Sequence, residues 1–326
     1  MNTPINASSF AELNHAYNRV FKPARLTVGL VAPLERYAQT SVPSMQPHID
    51  RVRLAESLGF TAVWLRDVPF NVPSFGDAGQ AFDPFVYLGF LAARTSQIAL
   101  GVSSIVLPLR HPAHVAKAAA SADVLSQGRV LMGVASGDRP EEYPALNKSF
   151  DSRGERFRDA ISYIQSLWQN PAQVNNHYGN VSPELELLPK PVAGQVPLLL
   201  TGGSQQSPQW LAQHGDGWML YPRAIEQQQV IINKWRARVK AFGRSAQPVM
   251  QPLYIDLLPD PDAPPAPIHL GLRVGSRYLR EHLHRLQAIG VNHVALNLRF
   301  NQAPIEPTLE KIAREILQEF PTNEIH

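Results

Sequence analysis

The segment SRGERF, Ser152–Phe157, sets Arg153 and Arg156 in the first turns of an expected helix. The N-terminal end of a helix carries partial positive charge and favours anions, so cations placed there call for a negative partner. That partner is either a nearby carboxylate, Glu155 or Asp159, or a bound anion. A second segment, TGGSQQSPQW (Thr201–Trp210), bears on the choice. Gly202 and Gly203 permit a tight turn, Ser204 and Ser207 offer hydroxyls, and Pro208 suits the first turn of a helix. Backbone N–H groups at such a helix start bind phosphate well. If the two helices are neighbours, Arg153 and this loop converge on one anion. The spacing of Ser152 and Glu155 also has the form of a capping box.

Other side chains carry two readings each. Arg66 and Asp67, in WLRD, form either an ion pair bracing a loop or a buried pair that orients a ligand, and they are the first catalytic candidates. His111, in LRHP, either braces its loop or acts in catalysis. Asp138 and Arg139 face a pocket or cap a turn, and Glu141–Glu142 and Asp260–Asp262 read as solvated loop carboxylates. His177 and Tyr178 fall in a long connection expected to pack on the flank of the fold. No spacing of His, Asp and Glu suggests a metal site, and no nucleophile elbow is present. The lack of cysteine removes disulfides, thiolate ligands and cysteine nucleophiles, and fits a cytoplasmic location.

These residues need a frame to hold them. Apolar runs of strand type occur at Leu26–Val31, Ala62–Leu65, Ile98–Val106, Val130–Ala135, Pro197–Leu200, Trp218–Tyr221, Val249–Ile255 and His293–Leu298. Amphipathic stretches alternate with them: Ile49–Leu58, Pro84–Ala93, Val115–Leu125, Arg153–Trp168, Pro208–Gln213, Glu226–Ala241, Ser276–Ala288 and Pro307–Glu319. The alternation predicts a (β/α)8 TIM barrel, with a doubly wound sheet as the alternative. Runs such as LLL and VLMGVA suit strands covered on both faces. Connections after strand C-termini are long at Asp67–Asp83, Ser136–Asp151 and Asp256–Gly275, which puts the insertions on the face where barrel chemistry sits. The last contains LPDPDAPPAPIHLGL, too proline-rich for regular structure on this reading, and is expected to be a mobile lid or a disordered excursion.

At 326 residues, with 44% hydrophobic and 17% charged side chains, the chain reads as one globular domain with residues 1–24 as an N-terminal extension. A net charge of +3 with scattered Lys and Arg gives no surface for nucleic acid, and no apolar run approaches a membrane span. Asn14, His15, Asn18 and Arg19 break any signal-peptide pattern.

Five segments, in order and over nearly the whole chain, resemble the bacterial luciferase-like flavin-dependent oxidoreductases. They are LAESLGFTAVWLRD (Leu54–Asp67), IALGVSSIVLPLRHP (Ile98–Pro112), ADVLSQGRVLMGVASG (Ala122–Gly137), SFDSRGERF (Ser149–Phe157) and PLLLTGGSQQSPQWLAQHGDGW (Pro197–Trp218). The resemblance implies a barrel enzyme using reduced FMN, with a deazaflavin as the alternative cofactor. It implies a phosphate loop at Gly202, Gly203, Ser204 and Ser207, clamped by Arg153. It further implies a non-proline cis peptide at Ser103–Ser104 under the flavin ring, and Ala135, Ser136 and Gly137 beside it. Val68, Ala135 and Ser136 stand where luciferases proper carry a histidine, a reactive thiol and an arginine, so light emission from an aldehyde is not implied. The expected activity is an FMN-dependent monooxygenase acting with O2 on a small organic substrate, fed by a separate flavin reductase and working as a homodimer. The rivals are a deazaflavin-dependent reductase or dehydrogenase, a non-catalytic flavin-binding relative, and a barrel lyase or isomerase acting on a sugar phosphate.

Overall fold

The computed structural model describes residues 9–75 and 78–321; the first eight residues of the expected extension lie outside them. The element order opens with α1 (His15–Val20), β1 (Thr27–Val31), α2 (His48–Ser57), β2 (Ala62–Leu65), α3 (Pro84–Ala92) and β3 (Ala99–Val106). It continues with α4 (Pro112–Leu125), β4 (Val130–Ala135), α5 (Glu142–Ala145), α6 (Arg153–Trp168), and a small hairpin, β5 (Val174–Asn176) and β6 (Gly179–Val181). Then come β7 (Leu198–Thr201), α7 (Pro208–His214), β8 (Gly217–Met219), α8 (Ile225–Ala241), β9 (Val249–Leu257), and a second hairpin, β10 (Ala266–Ile268) and β11 (Gly271–Val274). The chain closes with α9 (Ser276–Ala288), β12 (His293–Asn297) and α10 (Ile305–Glu315).

Eight parallel strands run β12-β1-β2-β3-β4-β7-β8-β9, and β9 pairs with both β8 and β12, so the sheet closes into a (β/α)8 barrel. All eight expected strands are present. The helices between them start where local chemistry says they should. Asp83 accepts from Phe85 N and Val86 N ahead of Pro84, and Ser207 Oγ accepts from Trp210 N at 3.2 Å ahead of Pro208.

Two expectations are corrected. Ser152 does precede α6, but it makes no side-chain cap bond; its Oγ donates to Ser149 O and accepts from Arg156 Nε, so the capping box is not formed. The proline-rich excursion is also not irregular throughout. β11 pairs in parallel with the outer half of β9, and β10 lies beyond it as an edge strand. Pro267 is tolerated there because an edge strand can leave one N–H position unpaired.

The barrel interior is closed from below by α1. Tyr17, Val20 and Phe21 pack with Trp64, Ala99 and Leu131, and Asn14 Nδ2 donates to Val130 O at 2.7 Å and to Asp123 Oδ1 at 3.1 Å. One polar chain crosses this core. Trp64 Nε1 donates to His293 Nε2 at 2.8 Å, which leaves the ring proton on Nδ1, facing Thr27 Oγ1 at 2.7 Å; the Thr27 hydroxyl donates to Val20 O. Complete burial pushes the His293 pKa down to about 3. The unfolded chain, with His near 6.5, therefore takes up a proton that the folded chain refuses, and stability is full above pH 6.5 and falls as pH drops toward 3. Urea unfolding of the intact chain and of His293→Gln between pH 6.5 and 4 should show an extra loss of about 1.4 kcal/mol per pH unit in the intact chain. Parallel curves would exclude His293 as the cause.

Candidate active site

The C-terminal mouth of the barrel holds two adjoining cavities of about 520 Å³ and 280 Å³. They share Arg66, Phe75, Ser103, Ser104, Thr201 and Tyr221. The larger lies over β8, β9, β12 and β1, where Met219, Met250, Tyr254 and Asn297 reach it, with His269 of the β10–β11 turn as part of its wall. The smaller lies over β2, β3, β4 and β7 and is lined by Ala135, Ser136, Gly137, Gly202 and Ser204.

The Ser103–Ser104 peptide is cis, as the resemblance implies. Ser104 Oγ is 2.5 Å from Thr201 Oγ1, joining the ends of β3 and β7 across the floor. Beside it, Tyr143 OH donates to Ser136 O, fixing the chain where it leaves β4. Burial raises the Tyr143 pKa, so the hydroxyl stays protonated and stays a donor.

The start of α6 and the loop after β7 meet through Gly154 and Arg158, whereas Arg153 lines neither cavity and turns to Phe150. Gln206 Nε2 donates to Gly154 O and to Ser204 O, both at 2.9 Å, and Arg158 Nη1 donates to Gln206 Oε1 at 3.1 Å. The loop turns through left-handed backbone at Gly202, Ser204 and Gln205, with φ of 54°, 43° and 59°. Arg153 stacks on Phe150 at 3.6 Å and donates from Nη1 to Phe150 O, while its Nε is buried with no hydrogen-bond partner. Burial lowers the Lys148 pKa, and the charge of Arg156 lowers it further. Arg156 itself donates from Nε to Ser152 Oγ at 3.1 Å. Gly203 and Ser207 are set back from the lining; Ser207 is committed to capping α7.

The catalytic candidates separate. Arg66 lines both cavities. Asp67 is bound by Arg110, whose Nε and Nη2 reach its two oxygens at 3.0 and 2.7 Å, and it also accepts from Val106 N at 3.1 Å. Burial works to lower the Arg110 pKa, yet Asp67 and Asp83 together hold it above its ordinary value. His111 is not brought to the site. Its Nδ1 accepts from Ala113 N at the start of α4 and its ring packs on Tyr163 and Tyr178, so the bracing reading replaces the catalytic one. His177 and Tyr178 lie on the β5–β6 hairpin at the flank, with His177 Nδ1 2.5 Å from Asp159 Oδ2. Glu142 is not solvated as expected; it is buried 3.6 Å from Arg139, which stacks on Phe75, and desolvation raises its pKa against the opposing pull of Arg139.

Sequence reading missed Thr201, Met219, Asn297 and Val31. Each is the last residue of its strand, and each lines the larger cavity. The expected strand ends fell on Val31 alone among these, one residue short of Thr201, two past Met219 and one past Asn297. No signal marked Arg110 as the partner of Asp67.

The fold and this site define a (β/α)8 barrel with two adjoining cavities at its C-terminal mouth. The profile of the luciferase-like monooxygenase family matches residues 26–263, and the chain belongs to that family. It is an oxidoreductase of the luciferase-like class. The F420-dependent hydroxymycolic acid dehydrogenase of Mycobacterium tuberculosis is 29% identical over 228 residues, 68% of this chain and 60% of the relative. The oxygenase component of the flavin-dependent trigonelline monooxygenase of Acinetobacter baylyi is 26% identical over 195 residues, 59% of this chain and 52% of the relative. Among solved structures, the monooxygenase RslO1 of Streptomyces bottropensis superposes with a TM-score of 0.75 at 20% identity, covering 90% of this chain and 99% of that one, a likeness of fold. Among the described residues no helix is long and apolar enough to cross a membrane, and no group of His, Asp and Glu is placed to hold a metal.

Proposed function

We propose that the chain is an FMN-dependent monooxygenase that takes reduced flavin and O2 and oxygenates a small organic substrate. The observation that carries the choice of FMN is the closed phosphate end. Gln206 laces the loop to the start of α6, and a Cβ placed on Gly154 would fall 2.9 Å from Gln205 Cβ, so chain and helix touch. A terminal phosphate fits a closed end, whereas a deazaflavin coenzyme continues past its phosphate and needs an exit. The named relatives include one user of each cofactor type.

In this reading Arg153, with Lys148 and Arg156 nearby, supplies charge to the phosphate, and Ser204 with the left-handed turn supplies its seat. Ser103, Ser104, Ala135, Ser136 and Gly137 support the ring. When bound, reduced flavin supplies the electrons that activate O2 for transfer of one oxygen atom to the substrate. The larger cavity receives the substrate, and its apolar walls exclude water. Arg66 and Tyr221, shared by both cavities, stand where ring and substrate would meet and orient the two. The family resemblance further supports a separate reductase as the source of reduced flavin and a homodimer as the working form.

Fluorescence titration tests the phosphate end directly. Arg153→Ala should weaken FMN binding by about tenfold or more and leave riboflavin binding unchanged. Equal loss for both ligands would remove Arg153 from the phosphate. Rapid mixing of protein loaded anaerobically with reduced FMN against oxygenated buffer tests the reaction class. Return of the oxidised-flavin spectrum much more slowly than for free flavin supports a monooxygenase, and return at the free rate supports the deazaflavin or non-catalytic readings.

A further inference from the structure

A methionine thioether lies on the cavity floor where two hydroxyls meet. Met219 ends β8, and its Sδ is 3.4 Å from Thr201 Oγ1 and 3.8 Å from Ser104 Oγ. A Cβ placed on Gly133 would fall 2.5 Å from that sulfur, so β4 leaves the thioether its seat. Met219 and Met250 line the larger cavity. Met45 and Met132 belong to the packed core instead, at 3% and 1% exposure against 4% for Met219. Burial alone therefore gives these side chains the same protection, and only the cavity separates them.

We infer that Met219 is a modification site, oxidised to the sulfoxide by hydrogen peroxide that enters the cavity. The sulfur lone pair attacks one peroxide oxygen, the S–O bond forms as the O–O bond breaks, and sulfur is oxidised by two electrons. The departing hydroxide takes the proton released from the attacked oxygen and leaves as water. Charge separates as the O–O bond breaks, and hydroxyl donors beside the sulfur stabilise the departing oxygen. Ser104 and Thr201 share one hydrogen bond, which leaves one hydroxyl proton of the pair as such a donor beside Met219. The product carries a strongly polar oxygen in place of the thioether and changes the size and polarity of the larger cavity. Only the source of the peroxide inside the site, oxygen reduced by flavin without transfer to substrate, rests on the function proposed above.

The test supplies the oxidant from outside, so its outcome is independent of that function. The whole chain is treated with graded hydrogen peroxide, digested, and each methionine followed by mass spectrometry. Met219 should oxidise about tenfold faster than Met132 and Met45. The double variant Ser104→Ala, Thr201→Val should slow Met219 several-fold, with the unchanged rate of Met132 reporting an intact core; if Met132 speeds up, Thr201→Val alone takes its place. Oxidation of Met219 no faster than Met132, or a Met219 rate indifferent to loss of the hydroxyls, would overturn the assignment.

Discussion

Asp67→Ala should lower the stability of the fold by about 3 kcal/mol, the low end for breaking a buried ion pair. The Asp67 side chain is 1% exposed and accepts from Val106 N and from Nε and Nη2 of Arg110, so its removal leaves Val106 N and Arg110 Nε without a partner. Arg110 is 26% exposed and keeps Asp83, so water and that second carboxylate recover part of the loss. Urea unfolding at neutral pH measures the drop. Asp67→Asn, which preserves shape and keeps one acceptor, should lose about half as much. An alanine variant as stable as the parent would mean that Arg110 and the strand end are held by other contacts. Because Val106 N is one of the donors, the same variant should loosen the end of β3, which hydrogen exchange at Val106 would report.

The second large effect is at Gly101. A Cβ placed there would lie 2.2 Å from Trp64 Cε3, and Trp64 is wholly buried and held by its bond to His293. Gly101→Ala must push the indole aside and break that bond, at a cost of about 3 kcal/mol, the upper range for overpacking. Trp64→Leu in the same chain makes room, and the double variant should be more stable than the sum of the two single losses predicts. Strict additivity would show that the indole yields without strain.

Much of the frame was legible because strand and helix write different periods into sequence. Runs such as VLMGVA and LLL suited strands buried on both faces, and they fell in place to within a residue or two. The start of α6 at Arg153 was legible as well, although the capping box read there does not form. What stayed hidden was pairing across long sequence distances. Asp67 is adjacent to Arg66 in sequence, yet it is bound by Arg110 from the end of the neighbouring strand. His111 stands one residue further on, where the chain has already turned out of the mouth to begin α4. Glu142 has a polar neighbourhood in sequence, and only the closure of Phe75 over Arg139 buries it. The β10–β11 hairpin was hidden for a related reason, since its ladder is made with β9 and an outer strand tolerates the proline that seemed to forbid it.

That hairpin has a consequence for how such an enzyme could acquire new substrates. Its turn, His269 and Leu270, forms part of the cavity wall, yet the strand behind it is hydrogen-bonded to the same β9 that helps close the barrel. The wall is anchored from the fold rather than hung from a loose loop. Two adjacent positions can therefore be exchanged to admit or refuse a ligand while the frame below them keeps its register. Leu270 has a φ of 49°, so asparagine or glycine is the residue that the turn would accept most readily in its place. Diversification at this spot would reshape selectivity in small steps, each one tolerated by the scaffold that carries it.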